Sequence, residues 1–163
     1  MSVLLRRLAL MFAWAGALVA LICALMVVAS VTSRALWAKP IAGDVEITQL
    51  MVAVAISLGL PWCQWRRANI IVDFFTQNTR PAVSRRLDAI GCLLLALMSL
   101  LLAWRTGAGA LAVREAGETS MVLALPMWWS YAALAPGLAL AAAIALHQGW
   151  RHLQLAPMDE TAV

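Results

Sequence analysis

Residues 8–31 form a run of 24 positions without one ionisable side chain. As a helix rising about 1.5 Å per residue, such a run crosses a hydrocarbon layer of roughly 30 Å. It also exceeds the apolar core of a cleaved signal peptide, which is about 7 to 15 residues. The small-residue stretch Ala29-Ser30-Val31-Thr32-Ser33 would suit a cleavage site, but the length argues for a retained helix. Composition points the same way. With 64% apolar and 12% charged residues, the surface must be solvated by something other than water, and a bilayer is the natural solvent.

Three more runs follow. Residues 47–65 are uncharged and end in Leu60-Pro61-Trp62-Cys63-Gln64-Trp65, where Pro61 is expected to bend or end the helix. Before them lies a connection of about fifteen residues carrying Arg34, Lys39, Pro40, Gly43, Asp44 and Glu46. The stretch from Arg66 to Asp88 mixes arginines with large apolar side chains and suits a segment lying at the membrane surface. The third run, residues 89–104, is only 16 residues long and must recruit its flanks to span, with Arg105 snorkelling towards the headgroups. The fourth, residues 121–146, carries Pro126 and Pro136, which lipid-embedded helices tolerate, so a kinked helix is expected. The fold class is therefore an all-α membrane protein with four transmembrane helices, near 8–31, 47–65, 87–110 and 121–147, in one integral domain over residues 1–163.

Charge distribution orients it. Placing the amino terminus inside puts eight of the twelve Lys and Arg residues on the cytoplasmic side and four outside. This positive-inside bias predicts that both termini and the second connection are cytoplasmic. Trp62, Trp65, Trp104, Trp128, Trp129 and Trp150 then fall near helix ends, where amphipathic rings prefer to sit, while Trp14 alone lies deep. The net charge of +4 is scattered in short clusters, with no continuous stripe for a phosphate backbone, so no nucleic-acid partner is expected.

Catalysis is not expected either. The spans hold few polar groups, Thr48, Gln49, Ser57, Ser99 and Ser130 among them, all able to bond within or between helices. His147 and His152 stand five apart and share no helical face, and no HExxH or GxxxxGK pattern occurs. Cys23, Cys63 and Cys92 have neither disulfide nor zinc spacing and read as packing thiols. No cofactor and no metal site is anticipated. The informative charges hug the membrane surface: Arg34, Glu46, Arg66, Arg67 and Asp73. Glu46 either stabilises a helix amino terminus or pairs with Arg34, or with a partner subunit, across the outer connection.

At these positions the sequence resembles the small transmembrane subunit of the tripartite ATP-independent periplasmic (TRAP) transporters, bacterial carboxylate importers. That family has a Val-x-x-Arg-like segment after helix 1, an acidic residue opening helix 2, a late glycine in it, then a basic pair leading into a His-Ile-x-Val-Asp-like stretch. Here stand Val31-Thr32-Ser33-Arg34, Glu46, Gly59, Arg66-Arg67 and Asn69-Ile70-Ile71-Val72-Asp73, followed by Leu125-Pro126-Met127-Trp128, Tyr131 and Gly137. Asn69 replaces the family's frequent histidine, and Val45-Glu46 stands for a pair of acids.

The resemblance implies a non-catalytic subunit of the bacterial inner membrane. Its partners would be a large permease subunit and a periplasmic solute-binding protein, and the system would take up an organic anion on a sodium gradient. Arg34 and Glu46 would then face the binding protein, with the Arg66 to Asp73 segment at the cytoplasmic surface. Three other readings stay open: a membrane anchor of a haem- or quinone-dependent enzyme complex, which would need ligands inside the spans, the small subunit of a tripartite tricarboxylate transporter, and an independent small transporter or other tetraspan protein, the bare spans counting against an independent transporter.

Overall fold

The computed structural model describes residues 2–38, 41–66 and 81–154. They form four helices, α1 (Ser2–Trp37), α2 (Asp44–Trp65), α3 (Pro81–Ala116) and α4 (Trp128–Gln154), with no strand among the described residues beyond an isolated bridge between Thr119 and Pro126. All four are long and apolar enough to cross a membrane. Apolar side chains lie exposed along every helix, from Leu18 and Leu25 on α1 to Leu97 and Leu101 on α3, as a lipid solvent requires.

The helices differ from the sequence reading at their ends. α1 runs on through Thr32, Ser33 and Arg34 because nothing there breaks a helix; it stops at Ala38, whose φ of 53° is left-handed and whose N–H still reaches the Arg34 carbonyl at 3.1 Å. The expected fifteen-residue connection shrinks to residues 38–43. α2 opens on Asp44, one residue after Gly43 at φ 74°, so Asp44 and Glu46 occupy the first turn, where the helix dipole favours negative charge. Pro61 does not end α2; it is buried inside a helix that continues to Trp65. α3 extends past both expected ends, which leaves Trp104 three turns short of the helix end it was expected to mark.

The largest correction concerns α4, which starts at Trp128 rather than at residue 121. Residues 117–127 form a tight hairpin-like connection. Gly117 and Ala124 take positive φ, Ser120 N–H donates to the Leu125 carbonyl at 2.9 Å, and Met127 N–H to the Glu118 carbonyl at 3.1 Å. Pro126 lacks an N–H and would clash with the turn before it inside a helix, so helical structure begins only after it. Pro136, by contrast, does lie within α4.

Packing runs in the order α1, α2, α4, α3: α1 lies along α2, α2 along α4 and α4 along α3, so α1 and α3 form the two edges of an open array. The contacts are close because small residues line them. On α3, Ala89, Ala96, Ala103 and Ala110 recur every seven residues and are buried. A repeat of seven keeps one seam facing a neighbouring helix. Ala141, Ala142, Ile144 and Ala145 are buried on α4, the partner of that seam. Two glycines mark the tightest crossings. A Cβ on Gly16 of α1 would meet the Ala55 carbonyl oxygen of α2 at 2.9 Å, and one on Gly137 of α4 would overlap the backbone and hydroxyl of Ser57 on α2. Backbones that approach so closely gain dispersion contacts that association in lipid depends upon.

Candidate functional site

α2 is the strut of the molecule, and its two ends carry the polar chemistry. At its amino end, Asp44 gathers three partners. Ser30 Oγ of α1 donates to Oδ2, Arg34 Nη2 reaches the same oxygen at 3.4 Å, and Oδ1 accepts from the Val45 N–H at 2.8 Å. Arg34 is 60% exposed, so this ion pair is a solvated surface contact rather than a buried lock.

Glu46, one turn-half further, faces the other way. Its Oε2 accepts from Ser120 Oγ at 2.8 Å and from the Leu123 N–H at 3.3 Å, and its Oε1 from the Val122 N–H at 2.9 Å. Ser120 Oγ in turn accepts from the Leu125 N–H at 3.3 Å, closing the hairpin on itself. Successive backbone N–H groups in a turn make an anion-binding concavity, and here the chain fills it with its own carboxylate. Leu123 also covers Gly43, where a Cβ would lie 2.5 Å from Leu123 Cδ1, so the two turns at this end are packed together as well as hydrogen-bonded. Nearby, the Arg114 guanidinium lies over the Trp128 ring at 5.4 Å, tying the end of α3 to the start of α4.

At the carboxyl end of α2 the contact to α4 is made by neutral side chains, with Arg66 beside it at the cap. Gln64 Nε2 donates to Gln148 Oε1 of α4 at 2.9 Å, while Gln148 Nε2 donates to the Gln64 and Trp65 carbonyls at 3.0 and 3.3 Å. Both side chains are buried. Between the two ends, Ser57 Oγ donates to the Leu134 carbonyl at 2.7 Å beside the Gly137 crossing. Next to Gln148, His147 Nε2 is buried without a hydrogen-bond partner among the described residues. No group of three or more His, Cys, Asp or Glu converges as a metal site among those residues.

The structure therefore sorts the residues singled out in the sequence. Arg34 and Glu46 lie at one end of the array but do not pair: Arg34 takes Asp44, and Glu46 takes the hairpin. Arg66 lies at the opposite end, its guanidinium over the Trp62 ring at 5.8 Å and its N–H on the Trp62 carbonyl. Arg67 and Asp73 fall outside the described residues. Asp44, Ser120, Gln64 and Gln148 were missed as contributors. Asp44 had a visible signal, an acid directly after a glycine at a helix start; Gln64 and Gln148 are 84 residues apart and had none.

What this arrangement can do is hold helices together. Among the described residues the spans are continuous helices, without the unwound midplane segments that carry substrate and ion sites in secondary transporters. A cleft of about 560 Å³ between α1 and α2 is lined by Ala20, Cys23, Val27, Val52 and Ala55, with Thr48 as the polar exception, and offers an anion nothing to bind. No curated protein and no solved structure matches the chain. A family comparison does: residues 23–155 match the tripartite ATP-independent periplasmic transporters, DctQ component, a span that takes in both polar ends of α2 and the Glu46 hairpin. The chain belongs to that family and is the small permease component of a TRAP transporter.

Proposed function

We propose that this subunit is a non-catalytic membrane scaffold. It supports the large permease subunit in the bacterial inner membrane and helps seat a periplasmic solute-binding protein during sodium-driven uptake of an organic anion such as a carboxylate. The observation that carries the reading is the contrast within α2. Its polar groups hold neighbouring elements, and the spans around it are unbroken helices, apolar but for Arg105 on α3, which suits support rather than passage. The positive-inside count supports placing both termini in the cytoplasm. In that orientation the Glu46 hairpin faces the periplasm, with Arg34 and the exposed Met121 and Val122 beside it, as the surface that the binding protein would meet.

The test is affinity purification of the tagged chain from gently solubilised native membranes, followed by reconstitution. A large polytopic permease should co-purify in stoichiometric amount, and vesicles should take up solute only when the permease and binding protein are present. Uptake by this chain alone, or co-purification of respiratory enzyme subunits with a haem absorption band instead, would overturn the reading.

A further inference from the structure

One charge does not fit a lipid-facing helix. Arg105 lies on α3, the edge helix, two residues past the buried seam residue Ala103 and so on the opposite side from α4. It is exposed, and no ion pair or hydrogen bond joins its side chain to another described residue. Its depth follows from register. A Cβ on Gly149 would touch Cys92 and Leu93, and one on Gly109 would touch Tyr131, so α3 and α4 run antiparallel and Arg105 stands level with Ala135 and Pro136. Gly137, one residue on, sits against Ser57 of α2. Ser57 is eleven residues from Glu46 and nine from Arg66, about 16 Å and 13 Å along the helix. Arg105 therefore stands inside the span of α3, about 13 Å from Arg114 on one side and about 25 Å from Asp88 on the other.

Snorkelling does not relieve it. The nearer charged boundary on its own helix is Arg114, nine residues away and about 13 Å, farther than a three-methylene stem spans. That boundary also lies towards the carboxyl end of α3, whereas side chains on a helix lean towards its amino end. Beside it, Trp104 is 78% exposed. The other edge differs. α1 exposes Trp14 at a similar level but carries no charge across residues 8–31, so lipid can cover it.

We infer that the outer face of α3, centred on Arg105 with Leu97, Leu101, Trp104 and Ala108, is the face that binds the large permease subunit. Its occupant is a transmembrane helix of that subunit bearing a carboxylate at the same depth. A buried guanidinium is held in a membrane by an opposite charge, and Arg suits a carboxylate with two parallel bonds. The inference rests on the scaffold reading, because it needs a permease partner.

The experiment uses the full chain in native membranes, with a photoreactive residue placed at Leu101 or Ala108 on α3, or at Leu18 or Leu25 on α1, all exposed. Crosslinks to a large polytopic subunit are expected from the α3 positions and not from α1. Arg105→Leu should insert normally yet reduce co-purified permease at least tenfold, with Arg105→Lys retaining more than Arg105→Leu. Permease crosslinks from α1 alone, crosslinks from α3 only to a second copy of this chain or to lipid, or full permease recovery with Arg105→Leu would each overturn the inference while leaving the scaffold reading standing. Failure of the unaltered chain to recover any permease would overturn both.

Discussion

The two ends of α2 solve the same problem by different means. At the amino end, ionised side chains hold elements that border water: Asp44 holds α1 through Ser30, and Glu46 holds the 117–127 hairpin through a hydroxyl and two backbone N–H groups. At the carboxyl end, two buried amides hold α4 without any charge. The difference follows local dielectric. A carboxylate at the boundary keeps part of its hydration while gaining charge-assisted bonds, whereas a buried site is costly for an unpaired charge and an amide pair can satisfy itself. Neither end alone sets the spacing of the helices. The glycine crossings between them do that, so the ends fix register and the middle fixes distance.

That division can be broken from the middle first. Gly137→Val should have the largest effect, about 3 kcal/mol or more of destabilisation, because the added carbons would overlap Ser57 with no room to yield. Thermal unfolding in detergent should show it, while Gly59→Ala, where a Cβ would meet nothing within 4 Å, should leave the midpoint nearly unchanged. Ala favours a helix over Gly, so a loss in Gly59→Ala as large as that in Gly137→Val would mean that the close crossing is not the cause.

The neutral end comes next. Gln148→Leu removes the acceptor of Gln64 Nε2 and the side-chain donor to the Gln64 and Trp65 carbonyls, a cost of about 1–3 kcal/mol. Combining it with Gln64→Leu should cost less than the sum of the two single changes, since the double variant leaves fewer polar groups unpaired. Strict additivity would show that the pair does not act as a unit.

At the charged end the effect should be local rather than global. Glu46→Ala should speed hydrogen exchange at the Val122 and Leu123 amides and expose the hairpin to protease, with α3 and α4 exchange unchanged. Unaltered exchange at those two amides would remove Glu46 as the clamp. Smallest of all, Arg34→Ala should leave the unfolding midpoint within error, because its partner contact is long and solvated; a clear loss there would make the Asp44 cluster a structural peer of the Glu46 hairpin.

Much of this architecture was legible before any coordinates. Charge-free runs of 19 to 26 residues announce three of the helices, because carrying an ionised group through hydrocarbon is costly. The misreading of residues 121–127 has a physical cause: Met121 to Leu125 is a short apolar run, and periodicity does not separate such a run from the first turn of a helix. Pro126 was the available signal, and its missing N–H is what the structure obeys. Glu46 was recognisable as a residue with a task, but its partners lie 74 to 77 positions away and two of them are backbone N–H groups, which no side-chain pattern announces.

The sequence by itself determined how many times the chain meets the membrane and which family it resembles, because both depend on the order of apolar runs and charges along one dimension. Only the tertiary structure decided that α1 and α3 are edges, that Arg34 takes Asp44 and leaves Glu46 to the hairpin, and that Arg105 stands level with Ala135 and Pro136 of α4. Those are matters of register between helices. Register is set by the Asp44, Glu46 and Gln64–Gln148 contacts at the two ends of α2, and spacing by the close approaches at Gly16, Gly137 and the alanine seam, all between residues far apart in the chain.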